Sequence, residues 1–217
     1  MTILVGAVDA ENERIIMGTD TLWTWPVAFT RDMGLYGKVV LDVPKYGVLM
    51  TGAGGEAEAQ IVQAVVKDDP KLLDIEGKGC VIKFAWAVRE ALFKAGHIGD
   101  PATNALPVHE HAYLLAHGPT KTIYMIDDDY TVTAFDGKNG VKDYIATGCG
   151  HVCAEPVMDA CKILGVEVEK SVRLAIDITK ERDNFCGYQT YIKCVPFKLP
   201  EKSLKDKVWS FVKKGKD

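Results

Sequence analysis

Apolar positions fall in short unbroken runs near the start of the chain and at helical spacing further on. Ile3 to Val8 is apolar throughout, the polar stretch Asp9-Ala10-Glu11-Asn12-Glu13 follows, and Ile15 to Met17 is apolar again. This predicts two buried strands joined as a hairpin. Lys38–Asp42 and Tyr46–Thr51, split by Pro44-Lys45, predict a second pair. From Gly55 the period changes. Ala57, Ile61, Ala64 and Val65 share one helical face, as do Val81, Ala85, Val88 and Leu92, with Gly96 placed to cap the second helix. Strands return at 112–116, 122–126 and 131–135, the last two joined by a turn at Asp127-Asp128-Asp129. Helical spacing covers 151–164 and 168–179, a strand is predicted over 188–195, and a Lys-rich segment ends the chain.

Blocks of strands and blocks of helices, rather than strict alternation, predict an α+β protein with antiparallel sheets, each covered by helices on one face. Two such layers back to back give a four-layer α-β-β-α sandwich with two antiparallel sheets. Strand order does not follow from the pattern. The 217 residues read as a single domain over 1–217.

Charge narrows the function classes. The chain has 26 Lys and Arg against 30 Asp and Glu, a net charge of −4, which disfavours nucleic acid as a partner because phosphate neutralisation needs surplus cations. No apolar run approaches the roughly 18 residues of a membrane span, and the N-terminus lacks the basic start of a signal peptide. No membrane partner is expected. The six cysteines (Cys80, Cys149, Cys153, Cys161, Cys186, Cys194) therefore read as reduced thiols in a cytoplasmic setting. They contain no CxxC pair, so no metal and no cofactor is expected.

Five segments, in order, resemble one family. They are TILVGAV at 2–8, GTDTLWT at 18–24, Lys38-Val39 ahead of TGAGGEAEA at 51–59, ATGCGHVCAEPVMDA at 146–160, and AIDITKERDNFCGYQTYI at 175–192. The resemblance is to the peptidase subunits of the 20S proteasome and of bacterial HslV, within the N-terminal-nucleophile hydrolases. It covers residues 2 to about 195, and the fold it implies agrees with the sandwich read from the blocks. It further implies a threonine endopeptidase acting on polypeptides inside a homo-oligomer of stacked hexameric or heptameric rings, with an ATPase unfoldase ring as a candidate partner.

The residues implied are specific. Thr2 would be the nucleophile once Met1 is removed, with its own α-amine as base. A hydroxyl needs an adjacent base, and an α-amine, with a reference pKa of about 7.7–8.0, is suited to that work. Asp20 and Lys38 correspond to the family's buried acid–lysine pair, and Asp183 to the acid that orients the amine. Cys149 and Cys186 stand where the family has serines, and Tyr188 where it has a second glycine. Gly54 matches the oxyanion-hole glycine, Thr24 the residue whose backbone pairs with substrate, and Trp23, Tyr36, Gly52 and Glu56 the lining of the first specificity pocket.

Other readings compete. Gly52, Gly54 and Ala57 fit a GxGxxA dinucleotide fingerprint, but four strands precede the helix where a βαβ unit needs one. His109-Glu110-His111 could offer a metal pair, yet it follows Pro107 in an expected exposed loop. His151, two residues after Cys149, suggests a Cys–His dyad or, more simply, the start of a helix. The same fold could also serve as a catalytically inactive ring-forming subunit or a non-proteolytic amidase.

Overall fold

The computed structural model describes residues 2–24, 30–32, 38–75, 78–98, 111–183, 186–187 and 189–199, with backbone alone at 23, 24 and 30–32. Tyr36, His109, Glu110, Tyr188 and the Lys-rich C-terminal segment lie outside the described residues.

The first hairpin forms as its pattern predicts, β1 (Leu4–Asp9) with β2 (Arg14–Asp20). A short pair, β3 (Leu22–Thr24) and β4 (Thr30–Asp32), comes next. The second hairpin is β5 (Val39–Val43) and β6 (Val48–Ala53), turned by a 3-10 segment at Pro44–Tyr46. Helices α1 (Glu56–Asp68) and α2 (Lys78–Lys94) follow. The His97 N–H returns to the Leu92 carbonyl oxygen at 2.9 Å across Gly96, so α2 ends on the glycine that the sequence nominates.

The second half runs β7 (Ala112–His117), β8 (Thr122–Ile126), β9 (Val132–Phe135), β10 (Tyr144–Thr147), α3 (His151–Ile163), α4 (Val168–Arg182) and β11 (Thr190–Pro196). Two features depart from the sequence pattern. The β3–β4 pair and strand β10 are not predicted by it. Tyr144–Thr147 is only four residues long, and its partner β1 lies far away in sequence (Leu4↔Thr147), so no local signal announces it.

Two main antiparallel sheets result, in orders β10-β1-β2-β11 and β5-β6-β7-β8-β9, beside the two-stranded β3-β4. Helices α3 and α4 lie on the first, α1 and α2 on the second. Alternating side chains explain the unbroken apolar runs. Ile3, just ahead of β1, and Val5 and Ala7 within it pack beneath Val172 and Ile176 of α4, while Leu4 and Val8 meet Leu49, Leu114 and Ile123 of the other sheet. A strand buried on both faces has no polar side to show. The outer core of the second sheet gathers Met50, Leu115 and Tyr124 beneath Phe84, Val88 and Leu92 of α2.

Candidate functional site

Strand register carries distant residues to one end of the sandwich. On one side of β1, Leu4 pairs with Thr147; two residues further along that register, Cys149 faces Thr2. On the other side Leu4 pairs with Thr19, so Asp20 falls opposite Ile3. The second sheet contributes Lys38 just ahead of β5, fixed there by the Gly52 N–H donating to the Lys38 carbonyl oxygen at 3.0 Å.

Asp20 is the hub. Its Oδ1 accepts from Lys38 Nζ at 2.7 Å and from the Ile3 N–H at 3.1 Å, and its Oδ2 accepts from the Gly187 N–H at 3.2 Å. Both side chains of the pair are buried, Asp20 wholly and Lys38 at 2% exposure. Burial lowers the Lys38 pKa from the usual lysine value, and the adjacent Asp20 carboxylate opposes that shift. Cys186 and Cys149 also favour the charged form of Lys38 electrostatically.

A second set of contacts leads away from the Thr2 nitrogen. The Thr2 N–H donates to Cys149 Sγ at 3.2 Å, Cys149 Sγ lies 3.7 Å from Cys186 Sγ, and the Cys186 thiol donates to Asp183 Oδ2 at 3.6 Å. The contact between the two sulfurs lowers the Cys149 pKa, and the same contact together with burial pushes Cys186 up. Cys149 is thus the more acidic thiol of the pair. Asp183 stands directly after α4 as its C-cap. Thr2 is buried at 6% exposure.

Gly148 makes this approach feasible. It has φ +85°, and a Cβ there would stand 2.3 Å from the Thr2 carbonyl oxygen. The Gly150 N–H donates to that same oxygen at 3.3 Å. The sequence reading named neither Gly148 nor Gly187. The two glycines flanking Cys149 were the available signal for the first.

Beside Lys38 a cleft of about 210 Å³ opens between the end of β6 and the start of α1. Gly52, Gly54, Glu56, Gln60 and Tyr113 line it. Tyr113 is 2% exposed and its hydroxyl has no hydrogen-bond partner among the described residues. Burial raises its pKa well beyond the ordinary tyrosine range, so it remains a neutral donor. Glu58 is buried behind the cleft and accepts from the Gly55 N–H, which fixes the glycine turn on α1. The backbones of Trp23 and Thr24 belong to β3.

Of two rival clusters, the first departs from expectation and the second keeps to it, with His151 starting a helix. His111 is not in an exposed loop. It is buried at 3% exposure with its ring 5.6 Å from that of Tyr113 and 5.2 Å from that of Tyr130. Proximity to β7 decides this, since His111 directly precedes the strand. His151 opens α3, and its Nδ1 lies 2.8 Å from the Gly148 carbonyl oxygen, so its ring belongs to the turn rather than to a dyad with Cys149.

No protein-family model and no curated protein matches the sequence. Solved structures do match the fold. HslV from Trypanosoma brucei superposes with a TM-score of 0.61 at 15% identity, over 89% of this chain and 99% of that one. BPH from Thiobacillus denitrificans, in complex with epoxomicin, gives 0.68 at 15% identity over 90% and 99%. Anbu from Yersinia bercovieri, described as an ancestral beta-subunit, gives 0.65 at 12% over 98% and 92%. With two antiparallel sheets between two helical layers, the chain has the N-terminal-nucleophile hydrolase fold that these structures share.

Proposed function

We propose that this chain is a threonine endopeptidase subunit with Thr2 as its nucleophile. The observation that carries the reading is the buried Lys38–Asp20 pair, 2.7 Å apart, on a carboxylate that also holds the backbone N–H next to Thr2. A buried lysine fixed at that point supplies positive charge to an alkoxide-like Thr2 oxygen, and like-charge repulsion keeps a neighbouring amine unprotonated. In a chain freed of Met1, the Thr2 hydroxyl attacks a peptide carbonyl while the α-amine takes its proton. The amine then returns the proton to the leaving nitrogen. Water hydrolyses the resulting ester by the same route in reverse. The Gly54 N–H is assigned to the oxyanion, and β3 with Thr24 to pairing with an extended substrate. The cleft at Gly52, Glu56 and Tyr113 would receive the side chain before the scissile bond. Its mixture of room, one acid and a buried hydroxyl donor suits a large or basic group.

Assembly into rings is part of this reading. It is supported by apolar side chains left on the surface, Trp86 of α2 at 60% exposure and Ile163 and Leu164 at the end of α3 at 84% and 77%. Exposed apolar sets of this kind mark interaction surfaces.

The test is intact mass of the purified protein with and without an epoxyketone peptide such as epoxomicin. That warhead needs both the hydroxyl and the free amine of an N-terminal threonine. Loss of Met1 and one adduct per chain, absent in Thr2→Ala, is expected. Retained Met1 with no adduct would point instead to an inactive ring-forming subunit or to a missing processing step.

A further inference from the structure

We propose that Cys149, Cys186 and Asp183 form a binding site for a thiophilic divalent cation such as Zn2+, beside the Thr2 nitrogen. Their ligand atoms all lie within 4.8 Å of one another. Two of the edges match those of a tetrahedral site. With Zn–S near 2.3 Å and Zn–O near 2.0 Å, a tetrahedral ion requires about 3.8 Å between two sulfurs and about 3.5 Å between sulfur and oxygen. The sulfurs here are 3.7 Å apart, and Cys186 Sγ to Asp183 Oδ2 is 3.6 Å. A nitrogen ligand should stand about 3.5 Å from a sulfur in the same geometry, and the Thr2 nitrogen is 3.2 Å from Cys149 Sγ.

The donor set defines the ion. Two sulfurs, a carboxylate oxygen and, once Met1 is gone, an amine nitrogen favour Zn2+ over Mg2+ or Ca2+, which take oxygen ligands. Thiols hydrogen-bond weakly, so S–H contacts alone gain little from bringing these groups together. An entry path exists, because Cys149 is exposed while Cys186 is buried. Binding displaces the thiol protons, so affinity rises with pH. The spacing of cysteines in sequence, with no CxxC pair, predicts no such site; the β1–β10 register and the α4 C-terminus create it.

One consequence rests on the proposed function. A cation holding the Thr2 amine lone pair removes the base, so Zn2+ would inhibit the threonine site reversibly and a chelator would restore it.

The experiment is titration of the full chain with Co2+ alone, under a non-thiol reductant, read by absorbance. One equivalent should give thiolate-to-cobalt charge transfer in the near ultraviolet and visible bands of tetrahedral intensity. Cys149→Ser and Cys186→Ser should lose the charge-transfer bands, and Asp183→Asn should weaken binding at least tenfold. Because a variant can fail to fold, the second reading uses the unaltered chain: Zn2+ should slow alkylation of Cys149 by iodoacetamide at least tenfold, mapped by mass spectrometry. Absent bands, bands retained in both serine variants, or Cys149 alkylation indifferent to Zn2+ would overturn the site. The two readings fail separately. Cobalt binding without an epoxyketone adduct keeps the site and removes the peptidase, and an adduct without cobalt binding does the reverse.

Discussion

Lys38 shows how one residue acquires its meaning from burial. In the sequence it is one of 26 cationic side chains, whereas in the fold it is locked against Asp20 at 2.7 Å with almost no access to water. Lys38→Met would leave the Asp20 charge buried without its cation, at a cost of roughly 3–5 kcal/mol, whereas removing both charges together costs much less. Urea denaturation at fixed protein concentration should therefore show Lys38→Met less stable than Asp20→Asn/Lys38→Met. Both should lose epoxyketone labelling, which separates the catalytic part from the structural one. His117 gives a prediction in pH. It is 3% exposed, its Nδ1 is 2.8 Å from Thr120 Oγ1, and burial lowers its pKa to about 4. Above about 6.5 both folded and unfolded states hold it neutral, and its contribution is full. As pH falls from 6.5 toward 4 the unfolded chain takes the proton first, so stability drops by up to roughly 3 kcal/mol. His117→Gln should flatten that part of the stability–pH curve, measured by denaturant midpoints.

At the scale of elements, two close approaches set the geometry. Helix α4 can lie on β2 because Gly18 has no side chain. A Cβ there would stand 2.6 Å from Ile176 Cδ1 and 2.7 Å from Val172 Cγ1. Gly18→Ala should cost about 1–3 kcal/mol through overpacking. Gly148 plays a different part, since it combines a left-handed φ with backbone contact at Thr2. Gly148→Ala should cost about 2 kcal/mol or more. It should also suppress epoxyketone labelling more than Gly18→Ala does at equal stability loss, because it moves Thr2, the proposed nucleophile. Thermal melting paired with labelling rates distinguishes the two.

For the whole molecule, the proposal of a ring predicts a mass in light scattering that is a multiple of the 23.8 kDa chain. Ile163→Asp/Leu164→Asp should shift the assembly toward smaller species if the α3 end is an interface, with circular dichroism unchanged because both side chains are exposed. A monomer at all concentrations would remove the ring from the reading and leave the fold as it stands.

The sequence by itself determined the elements whose signals are local. Unbroken apolar runs marked β1, β2 and β6 because those strands are buried on both faces, and helical spacing marked α1 to α4. The block order gave the sandwich class. Motif resemblance nominated Thr2, Asp20, Lys38, Cys149, Asp183 and Cys186, and the structure draws contacts through all six. What the tertiary structure alone decided are the features set by pairing across long sequence separations. Strand β10 exists because β1 offers it an edge, His111 is buried because two tyrosine rings close over it, and Gly187 matters because its N–H reaches Asp20. The thiol–carboxylate cluster is of the same kind. Residues 149 and 186 are 37 positions apart, and only the register of β10 on β1 and the end of α4 bring their sulfurs within 3.7 Å.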